Sequence, residues 1–314
     1  MYLLTKNQRD FAVTEAEKGR IAIKQRGYTI PAIESHQITP AFSEVSGSFC
    51  PTKRDVYLSR VLKLRPKLKE EMVKGGIVHS SVALVFRAIK NAQEKGTSIE
   101  IVLDTLKDML SLDEKIVAAL WQENRLSDLQ SLCKQNGVSY EMELPTYIKI
   151  VKDIIAFETY RLGASSKDSL TKIMDVEEYI DGADLGLSKG RIDSTVMIGS
   201  QTIIVCDLKS KSFGDNMDGK VQIAGYALAI EKKYNVPISI GCLVFPPPRL
   251  LENNEPQREI FVIDDALRSE FISRRDSVLS ILREKTPPPI PAGMQRKCIK
   301  CGQYSNCQSL KQEN

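Results

Sequence analysis

Three of the seven cysteines, Cys298, Cys301 and Cys307, fall within the stretch CIKCGQYSNC near the end of this 314-residue sequence. A C-x2-C pair turns both sulfurs toward one point, and the third follows five residues later. The odd cysteine count argues against a disulfide framework. Zinc and iron–sulfur clusters both usually take four ligands, so one more has to come from elsewhere. Cys50, in GSFCPTKRD with a glycine before it and a proline after it, is the best candidate. Cys206 in TIIVCDLK and Cys242 in SIGCLVF read as small buried core residues, and Cys133 in SLCKQNG lies near a helix end. A site using Cys50 clasps the tail of the chain to the start of its main domain. Spacing alone leaves zinc, an iron–sulfur cluster and three unligated thiols all open.

The second constraint is GRIDSTVMIGSQTIIVCDLKSK, residues 190–211. RIDSTVMI and TIIVCDLKSK read as two strands joined by a loop at Gly199-Ser200-Gln201. That loop sets Ile198 against Thr202 and, further down, Asp193 against Asp207. Cross-strand partners lie roughly 4.5–5.5 Å apart at Cβ, where two carboxylates repel unless a divalent cation lies between them. Lys209, two residues past Asp207, shares its face. Two carboxylates and an ammonium at one spot suit metal-assisted phosphodiester hydrolysis. The acids hold Mg2+ or Mn2+, which activates a water and neutralises the phosphate, and the lysine positions the water or stabilises developing charge. D-x-K also arises by chance in a lysine-rich chain, so its neighbours matter. Gln222 and Tyr226, i and i+4 in VQIAGYALAI, share one face of the following helix and suit orienting the metal site or a DNA backbone. They equally suit a surface amide and a phenol at a core edge. His79, in GGIVHSSVALV, is either a satisfied core histidine or a nitrogen ligand to the same cation.

Four segments follow from the pattern. Residues 1–49 are polar with few periodic signals, an extension expected to add little core. Residues 50–170 read as a helical subdomain: helices over 53–64, ending at Arg65-Pro66, over 69–95, and in SIEIVLDTLKDMLSL, DEKIVAALWQENRL and LPTYIKIVKDIIAFETYRL. Residues 171–285 carry the strands, a helix at about 218–233, strands in PISIGCLVF and REIFVID around Pro246-Pro247-Pro248, and a helix at about 265–284. Residues 286–314 hold the cysteine triplet. The class is α/β, a mixed sheet flanked by helices. With 42% hydrophobic and 27% charged residues the chain is globular rather than disordered. No apolar run reaches membrane-spanning length and the first twenty residues lack a signal-peptide centre, so the expectation is a cytoplasmic protein with no membrane partner. Net charge is only +4. Residues 53–69, however, carry Lys53, Arg54, Arg60, Lys63, Arg65, Lys67 and Lys69 against Asp55. That stripe suits phosphate neutralisation, or an ordinary solvated helix face. No P-loop motif is present, so the chain has no ATPase motor of its own.

G-x-x-D (Gly190 to Asp193), D-x-K (Asp207 to Lys209) and Q-x-x-x-Y (Gln222 to Tyr226), in order and with His79 ahead of them, resemble the RecB-like branch of the PD-(D/E)xK nucleases. An upstream Cys50 with a late C-x2-C-x5-C resembles the iron–sulfur subgroup of that branch. The best resemblance is to the CRISPR-associated RecB-like exonucleases of the Cas four kind, in the variant found with archaeal type I-A systems, over about residues 45–314. The resemblance implies a PD-(D/E)xK core with a cysteine-ligated clasp. It implies a [4Fe–4S] cluster on Cys50, Cys298, Cys301 and Cys307, and Mn2+ or Mg2+ on His79, Asp193, Asp207 and the Leu208 carbonyl. Lys209 would be the catalytic lysine, with Gln222 and Tyr226 supporting the site and contacting DNA. It also implies cleavage of single-stranded DNA or single-stranded ends, often from a 5′ end, in preparing fragments for spacer acquisition beside the CRISPR integrase. A catalytically weak DNA-holding adaptor and a repair or replication nuclease are the competing readings. Many relatives carry a further acid before the hairpin. Glu178 and Asp181 are the two candidates here, and the sequence does not choose between them.

Overall fold

The structure is a computed structural model of the chain. It describes residues 4–26, 38–47, 49–122, 124–164, 172–199, 202–209, 216–245 and 257–312. Ser200 and Gln201 of the hairpin loop and Pro246-Pro247-Pro248 lie outside the described residues.

Among the described residues five strands lie side by side in chain order: β1 (Lys172–Ile180), β2 (Gly190–Ile198), β3 (Thr202–Leu208), β4 (Ile240–Phe245) and β5 (Gln257–Val262). β1 to β3 form an antiparallel meander, β3 and β4 are parallel, and β5 returns antiparallel to β4. A parallel neighbour needs a crossover. Helix α9 (Met217–Tyr234, named in chain order) supplies it between β3 and β4. β4 is buried at all six positions, as a strand covered on both faces must be.

Period-2 alternation divides the sheet's side chains between two cores. Ile204, Cys206 and Leu208 of β3 and Ile240, Cys242 and Val244 of β4 join the core of a helical layer. That layer comprises α4 (Glu70–Lys95), α5 (Ile99–Ser111), α6 (Asp113–Gln122), α7 (Arg125–Asn136) and α8 (Tyr140–Ala164). Val205, Leu243 and Phe245 point the other way, into a core made with α2 (Phe42–Ser46), α9 and α10 (Asp265–Arg283). Buried Arg268 on α10 forks onto Glu231 of α9 at 2.8 and 3.3 Å and onto the Ile238 carbonyl at 2.6 Å, locking these helices at β4. At Gly225 of α9 an added Cβ would sit 2.3 Å from the Phe271 ring of α10. Gly225→Ala therefore overpacks this seam. It is expected to lower stability by about 1–3 kcal/mol, seen as a shifted urea midpoint.

The expected strand and helix positions after residue 171 hold, with boundaries moved by a few residues. The first half differs in three ways. Residues 1–49 are not a bare extension. α1 (Lys6–Arg26) places Ala12 and Ala16 in the core of the helical layer, and α2 buries Phe42 and Val45 in the other. The helix expected over 53–64 is the short α3 (Arg54–Arg60), and no helix resumes before Glu70. DEKIVAALWQENRL is split between α6 and α7 at Asn124, which takes a left-handed φ of 57°. α4 is the one described helix long and apolar enough to cross a bilayer. Its Val73, Ile77, Val85, Phe86 and Ile89 are buried in the core cluster, as a globular core helix requires.

Candidate metal centre

The β2–β3 ladder runs from Ile198↔Thr202 to Ser194↔Cys206, the register expected from the hairpin. One step further brings Asp193 opposite Asp207. There the ladder stops, and the Leu208 N–H donates to Asp193 Oδ2 at 2.6 Å instead of to a backbone carbonyl. On the other side of β2, Val176 pairs with Ser194 and Glu178 with Ile192, which sets Glu177 opposite Asp193. Glu177, Asp193 and Asp207 thus form a row of three carboxylates across three adjacent strands.

Each of the three holds a basic side chain. His79 of α4 bonds Asp193 through Nδ1 at 3.0 Å. Arg191 pairs with Glu177, and Lys209 with Asp207. Burial works against the charge on His79, but Asp193, by charge and by hydrogen bond, raises its pKa above the usual imidazole value. Burial pushes Asp207 up to about 6, with Lys209 opposing the rise and Asp193 adding to it. Ligand atoms of His79, Glu177 and Asp193 all lie within 4.8 Å of one another. Ligands each about 2.1 Å from a shared ion span at most about 4.2 Å, so this trio fits one small divalent cation with little movement.

Glu177 is the acid that sequence reasoning missed. Glu178 faces away and pairs with Lys233 of α9 at 2.9 Å. Asp181 accepts the Ala183 N–H at 3.0 Å in the turn after β1. Val176 packs against the core of the helical layer while Ile180 lies in the other core, so the face that simple alternation assigns changes at Glu177. Glu177 also has φ 57°, left-handed backbone of the strained kind that concentrates at functional sites.

α9 supports the row from behind. Gln222 accepts from Lys209 Nζ at 3.1 Å and donates its amide N–H to Asp207 at 3.4 Å and to the Tyr226 hydroxyl at 2.9 Å. Tyr226 in turn donates to the Arg191 carbonyl at 3.1 Å. The residue is 4% exposed, and its ring centre lies 4.9 Å from that of Phe42 at a 40° tilt. Tyr226 is therefore a buried brace for Gln222. Gly190, the first residue of G-x-x-D, has a physical reason. A Cβ there would lie 2.6 Å from the Phe42 ring and 3.0 Å from that of Tyr226.

Cys50, Cys298, Cys301 and Cys307 line one cavity, partly open to solvent, with Arg54, Lys297 and Tyr304 among its walls. Burial raises the Cys301 and Cys307 thiols above the ordinary value. The Gln303 N–H donates to Cys301 Sγ at 3.4 Å, and the Thr52 hydroxyl lies 3.2 Å from Cys50 Sγ. The Asp55 carboxylate is already taken by the Cys50 and Val56 N–H groups, so the donors facing the cavity are soft sulfurs. Backbone and side-chain hydrogen bonds stitch the surrounding segments together: Thr52 to the Pro289 carbonyl at 2.9 Å, Tyr57 to Glu284 at 3.0 Å, and Gln303 to Leu64 at 2.8 Å. The four cysteines sequence reasoning grouped are thus brought together by α3, α11 (Gln295–Ile299) and α12 (Tyr304–Gln312).

The basic stripe of residues 53–69 is not a helix face. Lys53 binds the Glu44 and Val45 carbonyls at the end of α2, buried Arg54 binds the Pro288 carbonyl, and Arg60 forks onto Glu44 at 2.9 and 3.1 Å. Lys63, Arg65 and Lys67 are exposed on the segment between α3 and α4.

The family described as CRISPR-associated exonuclease Csa1 matches residues 14–309. The chain belongs to that family. Two relatives described as CRISPR-associated exonuclease Csa1 are each 27% identical to it. The one from Saccharolobus solfataricus aligns over 277 residues, 83% of this chain and 85% of that protein. The one from Thermoproteus tenax aligns over 275 residues, 86% and 84% respectively. The crystal structure of SSO0001 superposes with a TM-score of 0.32 at 16% identity, over 65% of this chain and 84% of that one, too distant a likeness to carry an argument. Membership in the Csa1 family makes a nuclease the first reading of the carboxylate row.

Proposed function

We propose that the chain is a divalent-metal-dependent deoxyribonuclease that trims single-stranded DNA or single-stranded ends, with 5′ to 3′ polarity. The observation that carries this reading is the row Glu177–Asp193–Asp207, flanked by His79 on one side and Lys209 on the other. A bound Mn2+ or Mg2+ supplies an acidified water and neutralises the scissile phosphate. His79, Glu177 and Asp193 are spaced to hold that ion. Asp207 adjoins them, and a strand residue presents its N–H and C=O at one edge, so the Leu208 carbonyl faces the same side as the N–H bound to Asp193. Lys209, steadied by Asp207 and Gln222, carries the positive charge that orients a water or meets the developing charge on the phosphate. Tyr226 keeps Gln222 in place. Tyr226→Phe is expected to slow cleavage about tenfold and to cost about 1–3 kcal/mol, because the Gln222 amide and the Arg191 carbonyl each lose a buried partner.

The four thiols fit a [4Fe–4S] cluster held by Cys50, Cys298, Cys301 and Cys307, acting as a structural tie between residues 50–67 and the tail. A role in preparing DNA for spacer acquisition beside the CRISPR integrase is part of the same proposal, of which the family description supports the CRISPR-associated exonuclease part. Cleavage of end-labelled single-stranded DNA with Mn2+, comparing wild type with Asp207→Asn, tests the reading. Wild type should degrade the strand from its 5′ end and the variant should be at least about 10³-fold slower. Wild type that binds the strand without cutting it would make the chain a DNA-holding adaptor.

A further inference from the structure

The face of the sheet that carries the metal centre does not end at Glu177 and Asp193. Side chains two apart on a strand share a face. Tyr179 and Arg191, a directly opposed pair of β1 and β2, are therefore the next pair along the same row. Tyr179 is 65% exposed and belongs to neither core cluster. The Arg191 guanidinium lies 5.9 Å from the centre of that ring and pairs diagonally with Glu177, with its side chain 32% exposed. A large aromatic left in water directly beside a cluster of ligand-type side chains has no packing role on its own strand pair. An aromatic face with an arginine beside it is the arrangement on which single-stranded nucleic acids stack a base and set a phosphate.

We propose that Tyr179 and Arg191 form a subsite for one nucleotide of single-stranded DNA next to the metal centre. Tyr179 stacks on the base, and Arg191 exchanges the Glu177 carboxylate for a backbone phosphate. The exchange follows from Glu177 serving two partners. A cation that draws on the Glu177 carboxylate weakens its hold on Arg191, so loading the metal turns the guanidinium toward the phosphate. Stacking is tolerant of base identity, so the subsite grips a strand without reading its sequence. The inference rests on the nuclease reading for its substrate class.

Binding of the full-length protein to fluorescein-labelled oligothymidylate, and to a fully abasic strand of the same length, tests it with Ca2+ in place of Mn2+ so that the strand survives. Tyr179→Ala should bind oligothymidylate about tenfold more weakly and the abasic strand as wild type does, and Tyr179→Phe should restore the difference between the strands. Arg191→Gln should weaken both strands and lower the slope of log affinity against log salt by about 0.7, the loss of one phosphate contact. Tyr179→Ala binding both strands like wild type, or an unchanged salt slope in Arg191→Gln, overturns the subsite. Cleavage measured in parallel separates the two failures: wild type that cuts no DNA sinks the nuclease reading, while the binding comparison still decides the subsite.

Discussion

Asp193→Asn is expected to abolish DNA cleavage, by at least about 10³-fold, and to weaken Mn2+ binding. Asp193 stands at the centre of the row, with Glu177 and Asp207 on either side of it. One of its oxygens meets His79 at 3.0 Å and the other takes the Leu208 N–H at 2.6 Å. Asparagine keeps the size and the acceptor for one of these contacts but loses the charge. The fold should survive, because the change adds no volume and the β2–β3 ladder beyond Ser194↔Cys206 is untouched. Rates on end-labelled strands together with an unchanged circular dichroism spectrum check this. Cleavage within tenfold of wild type would remove Asp193 from the centre.

The second large effect is expected at the cysteine cavity. Cys301 is buried, caps the turn that carries Gln303, and lies on the segment whose Gly302 carbonyl accepts the Lys67 N–H at 2.9 Å. The proposed cluster, held by thiolates from residues 50 and 298–307, would close a loop of about 250 of the 314 residues. Opening so long a cross-link costs about 3–5 kcal/mol on the model of other covalent ties. In a chain of this size each kcal/mol moves the midpoint by about 2 °C. Cys301→Ser, purified without oxygen, should therefore lose absorbance near 400 nm and melt about 6–10 °C lower than wild type. A colourless wild type containing one zinc ion would replace the cluster by zinc and leave the clasp standing.

The hairpin register was legible because a short glycine loop leaves little freedom in pairing, and that register alone aligns Asp193 with Asp207. The four cysteines were legible because sulfur is rare and its spacing carries geometry. Glu177 was not legible. Adjacent glutamates on a strand face opposite ways, and choosing between Glu177 and Glu178 needs the left-handed backbone at Glu177, which has no mark in an apolar–polar pattern. The role of Tyr226 depended on Phe42, far upstream in a segment whose polar composition hid two packed helices. The basic stripe was misplaced for a related reason. Counting charges does not show that Lys53, Arg54 and Arg60 end on carbonyls and on Glu44.

The proposed cleavage requires a cation held by His79, Glu177 and Asp193 beside Asp207. Titration of Mn2+ followed by electron paramagnetic resonance, on wild type, Glu177→Gln and Glu178→Gln, tests it most directly. The row predicts one bound ion in wild type, affinity about 10- to 100-fold weaker in Glu177→Gln, and no change in Glu178→Gln, whose carboxylate faces Lys233 instead. Equal affinity in wild type and Glu177→Gln, or a loss confined to Glu178→Gln, would contradict it.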